Sequence, residues 1–92
     1  MNATQTPPAT LEHDARRLLA GVADWQRRYA TPGDRIGVPQ DIGMDHARAK
    51  AVATALIRAG LMEVKRNGLG YDWAITPAGR AALGRPAGRA SS

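Results

Sequence analysis

The segment from residue 45 to residue 83 most constrains the fold, because a hairpin pattern lies between two helix patterns. Asp45 precedes the amphipathic run HARAKAVATALIRAGL, and the run MEVKRNGLGYDWAIT alternates around a glycine-rich centre. Thr76 and Pro77 then have the residue types of a helix N-cap and first helical position. Helices joined to an antiparallel hairpin in this order predict a small α+β domain.

The charge of the chain is concentrated in the same segment. Residues 1–44 contain five arginines and five acidic residues, whereas residues 45–92 contain eight lysines and arginines and three acidic residues. The net charge of +5 therefore comes entirely from the second half. A positive field confined to one region indicates a surface that faces a polyanion.

The length of 92 residues allows one domain with a modest core. Residues 1–9 and 84–92 are rich in small and polar residues without an apolar period, so we expect flexible tails around a domain at 10–83. The sequence contains no cysteine, which excludes disulfides and thiolate metal sites. Because it also lacks a membrane-length apolar run and a signal-peptide pattern, we expect a cytoplasmic protein without a membrane partner.

The first half predicts a helix, a short strand and a brief second helix. Apolar residues recur at helical spacing over 11–29, and Thr10 is the expected N-cap. Residues 34–38 alternate between polar and apolar side chains, which predicts a strand. Pro39 then suits the first turn of a very short helix.

The helix predicted over residues 46–59 carries the functional interpretation. Its apolar seam on a helical wheel consists of Ala49, Val52, Leu56 and Ala59. On the opposite face, small side chains would let the backbone approach a groove while longer ones reach phosphates or base edges. The candidate contacts are His46, Arg48, Lys50, Thr54 and Arg58. They could equally form an ordinary solvated helix face, but the excess charge on this segment favours contact with DNA.

The register of the hairpin can be predicted from charge. A two-residue Asn-Gly turn would place Glu63 opposite Asp72, whereas a four-residue loop over 67–70 places Lys65 opposite Asp72. We favour the four-residue loop because it pairs opposite charges. The residues that then point to the core are Met62, Val64, Trp73 and Ile75, and we expect Leu18, Val52 and Leu56 to share that core.

The hairpin also supplies candidate contacts, namely Lys65, Arg66, Asn67 and Tyr71. Lys65 could instead pair with Asp72, so Arg66 is the preferred phosphate contact. The two histidines, His13 and His46, lie on different elements, and the sequence shows no catalytic triad, paired carboxylates or phosphate loop. We therefore expect neither an enzyme nor a cofactor.

The order of the elements resembles that of a winged helix-turn-helix domain. Residues 41–64 resemble the second helix, turn and recognition helix of bacterial winged-helix regulators, in which residues equivalent to Leu56, Gly60 and Leu61 close the recognition helix. Residues 75–83, ITPAGRAAL, are similar to the exit from the wing in MarR-like regulators, with a Thr-Pro-x-Gly-Arg motif. The resemblance implies a three-helix core, a β-hairpin wing and a short C-terminal helix.

The resemblance further implies a sequence-specific double-stranded DNA-binding protein, a small transcriptional regulator of bacterial or phage type. Helix 46–59 would enter the major groove, and the hairpin over 62–75 would act as the wing. A homodimer is expected because one small winged helix reads few base pairs. The chain lacks the long terminal helices that form an effector pocket in MarR-like proteins, so we expect no small-molecule effector. The alternative is a winged-helix protein–protein interaction module in a larger phage- or plasmid-type assembly, without DNA binding.

Overall fold

The computed structural model describes residues 12–84, which form four helices and one antiparallel hairpin. In chain order the elements are α1 His13–Tyr29, α2 Gly37–Ile42, α3 His46–Arg58, β1 Met62–Asn67, β2 Gly70–Ile75 and α4 Pro77–Gly84. Three helices carry a projecting hairpin and a short final helix, so the predicted α+β winged helix-turn-helix architecture is confirmed. The expected tail at 1–9, the expected cap Thr10 and residues 85–92 of the expected tail at 84–92 lie outside the described residues, whereas Gly84 is the last residue of α4.

Helix α1 begins at His13, two residues after the predicted start. Glu12 is its N-cap: the backbone is extended there, and the carboxylate accepts a hydrogen bond from the N–H of Ala15 at 3.2 Å. An acidic cap also suits the positive end of the helix dipole. The buried face of α1 consists of Leu18, Leu19 and Val22.

The strand predicted over residues 34–38 is wrong. Asp34 instead closes the turn that leads into α2, because its Oδ2 accepts hydrogen bonds from the N–H groups of Ile36, the N-cap residue, at 3.2 Å and Gly37 at 2.6 Å. Strand-like pairing in this part of the described chain is confined to a bridge between Gly33 and Trp73. The alternation of polar and apolar residues therefore belongs to a capped turn that leads into a helix.

Helix α3 has the caps that the sequence predicts. The Asp45 carboxylate accepts from the N–H groups of Ala47 and Arg48 at 3.1 and 3.2 Å. At the other end Gly60 has a φ of +77°, and the N–H of Leu61 donates to the Leu56 carbonyl at 3.0 Å. This 6→1 bond is that of a Schellman motif, which ends the helix and turns the chain towards β1.

The seam of α3 differs from the prediction at two positions. Ala49, Val52 and Leu56 are buried as expected, but Ala53 is buried and Ala59 is exposed. Ala59 is the C-cap residue and lies beyond the last helical turn. The seam is therefore rotated towards Ala53.

The hairpin has the predicted register, with Val64 opposite Trp73 and Lys65 opposite Asp72. The strands continue to the pair Asn67–Gly70, so a two-residue turn over 68–69 replaces the predicted four-residue loop. Gly68 has a positive φ of +61°, whereas the φ of Leu69 is not positive. This is the arrangement of a type II′ turn, whose twist matches that of the strands.

The core joins the three helices to the base of the hairpin, and the predicted members Leu18, Val52, Leu56, Trp73 and Ile75 belong to one cluster. The expectation that Val64 also points into this core is wrong, since 47% of the residue is exposed. Met62, at the base of the same strand, is buried. The hairpin thus extends past the helices after Met62.

Strand β2 is attached on its outer side to the rest of the domain. Gly33 and Trp73 exchange two backbone hydrogen bonds, at 2.7 and 3.0 Å. The N–H of Ile75 donates to the side-chain Oε1 of Gln26 on α1 at 2.8 Å. The base of the hairpin is therefore held against α1 and the loop that follows it.

Helix α4 is attached at both ends. Thr76 is its cap: the hydroxyl oxygen accepts from the N–H of Gly79 at 3.0 Å, and the hydroxyl donates to the Gly60 carbonyl at 2.7 Å. At the other end the Arg16 guanidinium donates to the carbonyls of Ala82 and Leu83 at 3.2 and 3.1 Å.

None of the helices in the described range is long and apolar enough to cross a membrane.

Candidate nucleic-acid interface

The outer surface of α3 combines small and basic side chains. Ala47, Ala51, Thr54 and Arg58 are all exposed on the side opposite the buried seam. The Thr54 hydroxyl donates to the Lys50 carbonyl at 3.0 Å. Any further hydrogen bond of this hydroxyl must therefore be accepted by the lone pairs of the Thr54 oxygen. A helix with this profile can approach a groove closely.

A cleft of about 350 Å³ separates α3 from the hairpin. Its lining residues are Arg35, Ile36, His46, Lys50, Thr54, Val64, Tyr71 and Trp73. The described residues of this lining include basic, polar and apolar side chains but no carboxylate. The cleft is therefore electrostatically suited to an anion with an apolar portion.

The four candidate DNA contacts on the hairpin lie on two different faces of it. Arg66 lies opposite Tyr71 and shares the cleft side with Val64 and Trp73, because side chains alternate along a strand. The Arg66 guanidinium carbon lies 5.6 Å from the centre of the Tyr71 ring, a cation–π distance that holds both side chains together. Arg66 and Tyr71 therefore extend the wall of the cleft towards the tip of the hairpin.

Lys65 and Asn67 lie on the other face of the hairpin. The Lys65 ammonium is 3.8 Å from the Glu63 carboxylate, so it forms an ion pair along its own strand rather than with Asp72. The Asn67 amide donates to the buried Asp72 carboxylate. On this face a second, shallower groove of about 830 Å³ runs between α1, β2 and α4.

Arg48 lies on the flank of α3 that faces α1. Its guanidinium forms ion pairs with Glu12 at 3.0 Å and with Asp14 at 2.9 Å. The hydrogen bond from Arg48 lowers the pKa of the Asp14 carboxyl, and the same hydrogen bond raises the pKa of Arg48. Two carboxylates thus offset the charge of Arg48, in contrast to the other basic residues predicted on α3.

Apart from Arg16, which donates to the carbonyls of Ala82 and Leu83, the lysines and arginines of the described chain fall into two groups. Those with an ion-pair partner are Arg17, Arg27, Arg28, Arg48 and Lys65. Within residues 12–84 no carboxylate forms an ion pair with Arg35, Lys50, Arg58, Arg66 or Arg80. Of these, Lys50, Arg58 and Arg66 were singled out in the sequence. They belong to α3 or to the cleft side of the hairpin.

Arg35 is a cleft residue that was not predicted from the sequence. It belongs to the loop before α2, and its guanidinium lies 3.3 Å from the position that a Cβ on Gly70 would occupy. Arg35 comes from the half of the chain without net charge, so its charge gave no signal in the sequence. Its position beside β2 depends on the bridge between Gly33 and Trp73, which is a contact between distant residues.

The fold is similar to the crystal structure of a MarR family transcription regulator. The two structures superpose with a TM-score of 0.68 and 22% sequence identity, over 82% of this chain and 48% of the regulator. The chain thus spans about half the length of that regulator. No protein-family model matches the sequence, and no curated protein is significantly similar to it in sequence. The structural similarity shows the winged helix-turn-helix fold, with α2 and α3 as the helix-turn-helix and the hairpin as the wing.

Proposed function

We propose that this protein is a sequence-specific double-stranded DNA-binding regulator that inserts α3 into the major groove. The observation that carries the proposal is the cluster of unpaired cations on and beside α3, around a cleft that no carboxylate lines. Unpaired cations are free to displace counterions from phosphates, which is the main source of affinity for DNA. The similarity to a MarR family transcription regulator supports the same conclusion.

The outer face of α3 would read the bases. Ala47 and Ala51 let the helix backbone approach the groove floor, and Arg58 can donate two hydrogen bonds to a guanine edge. Because the Thr54 hydroxyl already donates to Lys50, it would act as an acceptor, which suits the amino group of adenine or cytosine. Lys50 and His46 border the cleft and would contact the DNA backbone.

On the wing, Arg66 and Tyr71 would contact the DNA backbone from the cleft side. Asn67 would act indirectly, by fixing Asp72 and the base of the turn, and Lys65 would remain paired with Glu63. We also assign Arg48 to a positioning role between α1 and α3, since its charge is offset by two acids. A second copy of the chain on an adjacent half-site would supply the specificity that one domain lacks.

The proposal is tested by fluorescence anisotropy with labelled duplex DNA, first random in sequence and then enriched by selection. Arg58→Ala should weaken binding to the selected sequence by about 1–3 kcal/mol, because Arg58 is assigned to a base edge. Lys50→Ala should weaken binding to selected and random DNA by similar factors, because Lys50 is assigned to the DNA backbone. The control is Arg27→Ala, which removes an equal charge from an exposed position on α1. The assignment fails if both variants bind as the control does while their circular dichroism spectra match wild type.

The wing is tested separately. Arg66→Ala should weaken binding to selected and random DNA by similar factors, because a phosphate contact carries no sequence information. It should also reduce the slope of log affinity against log salt by about one. Loss of selected binding alone, with the slope preserved, would instead indicate that Arg66 reads a base.

A second function, as a protein-interaction module, is favoured by the apolar part of the same surface. Ile36, Val64, Tyr71 and Leu69 are large apolar or aromatic residues that remain exposed. Exposed apolar groups beside cations also suit an acidic protein partner. Failure of the wild-type protein to bind duplex DNA at any salt concentration would favour this function over the first.

A further inference from the structure

We infer that the loop before α2 is a third DNA-contacting element and that the cleft between it, α3 and the wing holds the sugar–phosphate backbone of one strand. The inference rests on the proposed function. Its key residues are Arg35, as a phosphate contact, and Ile36, as a contact to deoxyribose.

The first support is the convergence of charge from separate elements. Arg35 from the loop and Lys50 from α3 line the same cleft, and Arg66 from β1 extends its wall. The neighbouring Asp34 forms no ion pair with Arg35 within the described residues, and its carboxylate accepts hydrogen bonds from the N–H groups of Ile36 and Gly37 instead. A phosphate in this cleft would therefore meet cations from more than one side.

The second support is the apolar surface next to these cations. Ile36 is 66% exposed and Val64 is 47% exposed, although both are β-branched residues that usually lie in a core. Both line the cleft, and they come from different elements. The DNA backbone alternates anionic phosphates with largely apolar sugars, so this lining matches it better than it matches a free anion.

The third support is the placement of Arg35 along the wing. Its guanidinium lies against the backbone of Gly70, where a larger residue would crowd it. The loop is also tied to β2 by the two hydrogen bonds between Gly33 and Trp73, at 2.7 and 3.0 Å. Arg35 is thus presented by an anchored loop beside the wing, and its loss should affect affinity without altering sequence preference.

The experiment measures binding to a random-sequence duplex over a series of salt concentrations. Arg35→Ala should weaken binding about five- to tenfold near 0.1 M salt and reduce the salt slope by about 0.9, the effect of one phosphate contact. Arg35→Lys should restore most of the slope, because it keeps the charge. Ile36→Ala should weaken binding by a smaller factor and leave the slope unchanged, since no counterion is released by an apolar contact.

The matched control is Arg80→Ala on α4, which removes an equally unpaired charge from the opposite side of the hairpin. If Arg35→Ala binds DNA as Arg80→Ala does while Lys50→Ala is weakened, the inference is overturned and the proposed function stands. If the wild-type protein shows no salt-dependent binding to the duplex, the proposed function fails and the inference fails with it. Thermal melting of each variant verifies the fold, which we expect to be unchanged because Arg35, Ile36 and Arg80 are exposed.

Discussion

Replacing Gly79 by alanine should destabilise the domain, although alanine is the better helix former. Gly79 lies in the first turn of α4, directly against the turn that follows α3. A Cβ at this position would lie 2.1 Å from the carbonyl oxygen of Leu61 and 2.8 Å from Cγ1 of Ile75. Since ordinary contact needs about 3.4 Å, α4 would have to move away by about 1.3 Å.

The magnitude follows from what this movement disturbs. Overpacking against a well-packed neighbour costs about 1–3 kcal/mol. The shift also loosens two hydrogen bonds of Thr76, to the carbonyls of Leu61 at 3.2 Å and Gly60 at 2.7 Å. Each bond is worth about 0.5–1.5 kcal/mol, whereas the helix propensity of alanine returns about 1 kcal/mol. The net loss is about 3 kcal/mol, within about 1–5 kcal/mol, and corresponds to a melting temperature lowered by about 12–24 °C.

The assay is thermal and urea unfolding followed by circular dichroism. Gly84→Ala is the control in the same helix, because a Cβ there has no heavy atom within 4 Å. The control should stay within about 0.5 kcal/mol of wild type or gain slightly. A Gly79→Ala protein that melts at or above the wild-type temperature would refute the packing of α4 against the Leu61 carbonyl.

Two further predictions concern stability. Leu56→Ala should lower the free energy of unfolding by about 2–5 kcal/mol, because Leu56 is 2% exposed at the centre of the core. The control is Leu69→Ala, at the exposed tip of the wing. Equal urea midpoints for the two variants would contradict the burial of Leu56. Asp14→Asn should lower stability at neutral pH, because the hydrogen bond from Arg48 holds the pKa of the Asp14 carboxyl below its usual value of about 3.9. The stabilisation is complete above that value and is lost as the pH falls through the lowered pKa, so the two proteins should converge in acid; urea unfolding over a pH series measures this, and a difference that persists in acid would contradict it.

Features encoded by neighbouring residues were predictable from the sequence. The Asp45 cap, the end of α3 at Gly60 and Leu61, and the Thr76 cap of α4 each depend on residue types a few positions apart. The hairpin register was predictable because one pairing brings like charges together. These signals were sufficient to place α3, the hairpin and the start of α4.

Features that depend on distant contacts were not predictable in the same way. Alternation over residues 34–38 suggested a strand, but the same pattern also fits a turn closed by a side chain. The hydrogen bonds that Asp34 accepts show that the turn forms. The acids that pair with Arg48 lie on α1, and Arg35 approaches the wing through the folding of the intervening helices. Periodicity identifies which side of an element is apolar but not which neighbour covers it, which is why Val64 was assigned to the core.

The attachment of β2 also determines which edge of the hairpin remains open. In an antiparallel pair, the backbone groups of alternate residues point away from the partner strand. At two successive outward positions of β2, the N–H and C=O of Trp73 are bonded to Gly33, and the N–H of Ile75 is bonded to the side chain of Gln26. A strand from another chain cannot pair there without first displacing α1 or the loop that follows it.

Strand β1 therefore carries the edge at which another strand could add. Glu63, Lys65 and Arg66 lie along it and are exposed, and charged side chains on an edge strand oppose pairing between chains. Recruitment of an extra strand would require these charges to be desolvated or matched. The wing should consequently remain a two-stranded, single-chain hairpin at high protein concentration, with edge-to-edge aggregation disfavoured on both of its sides.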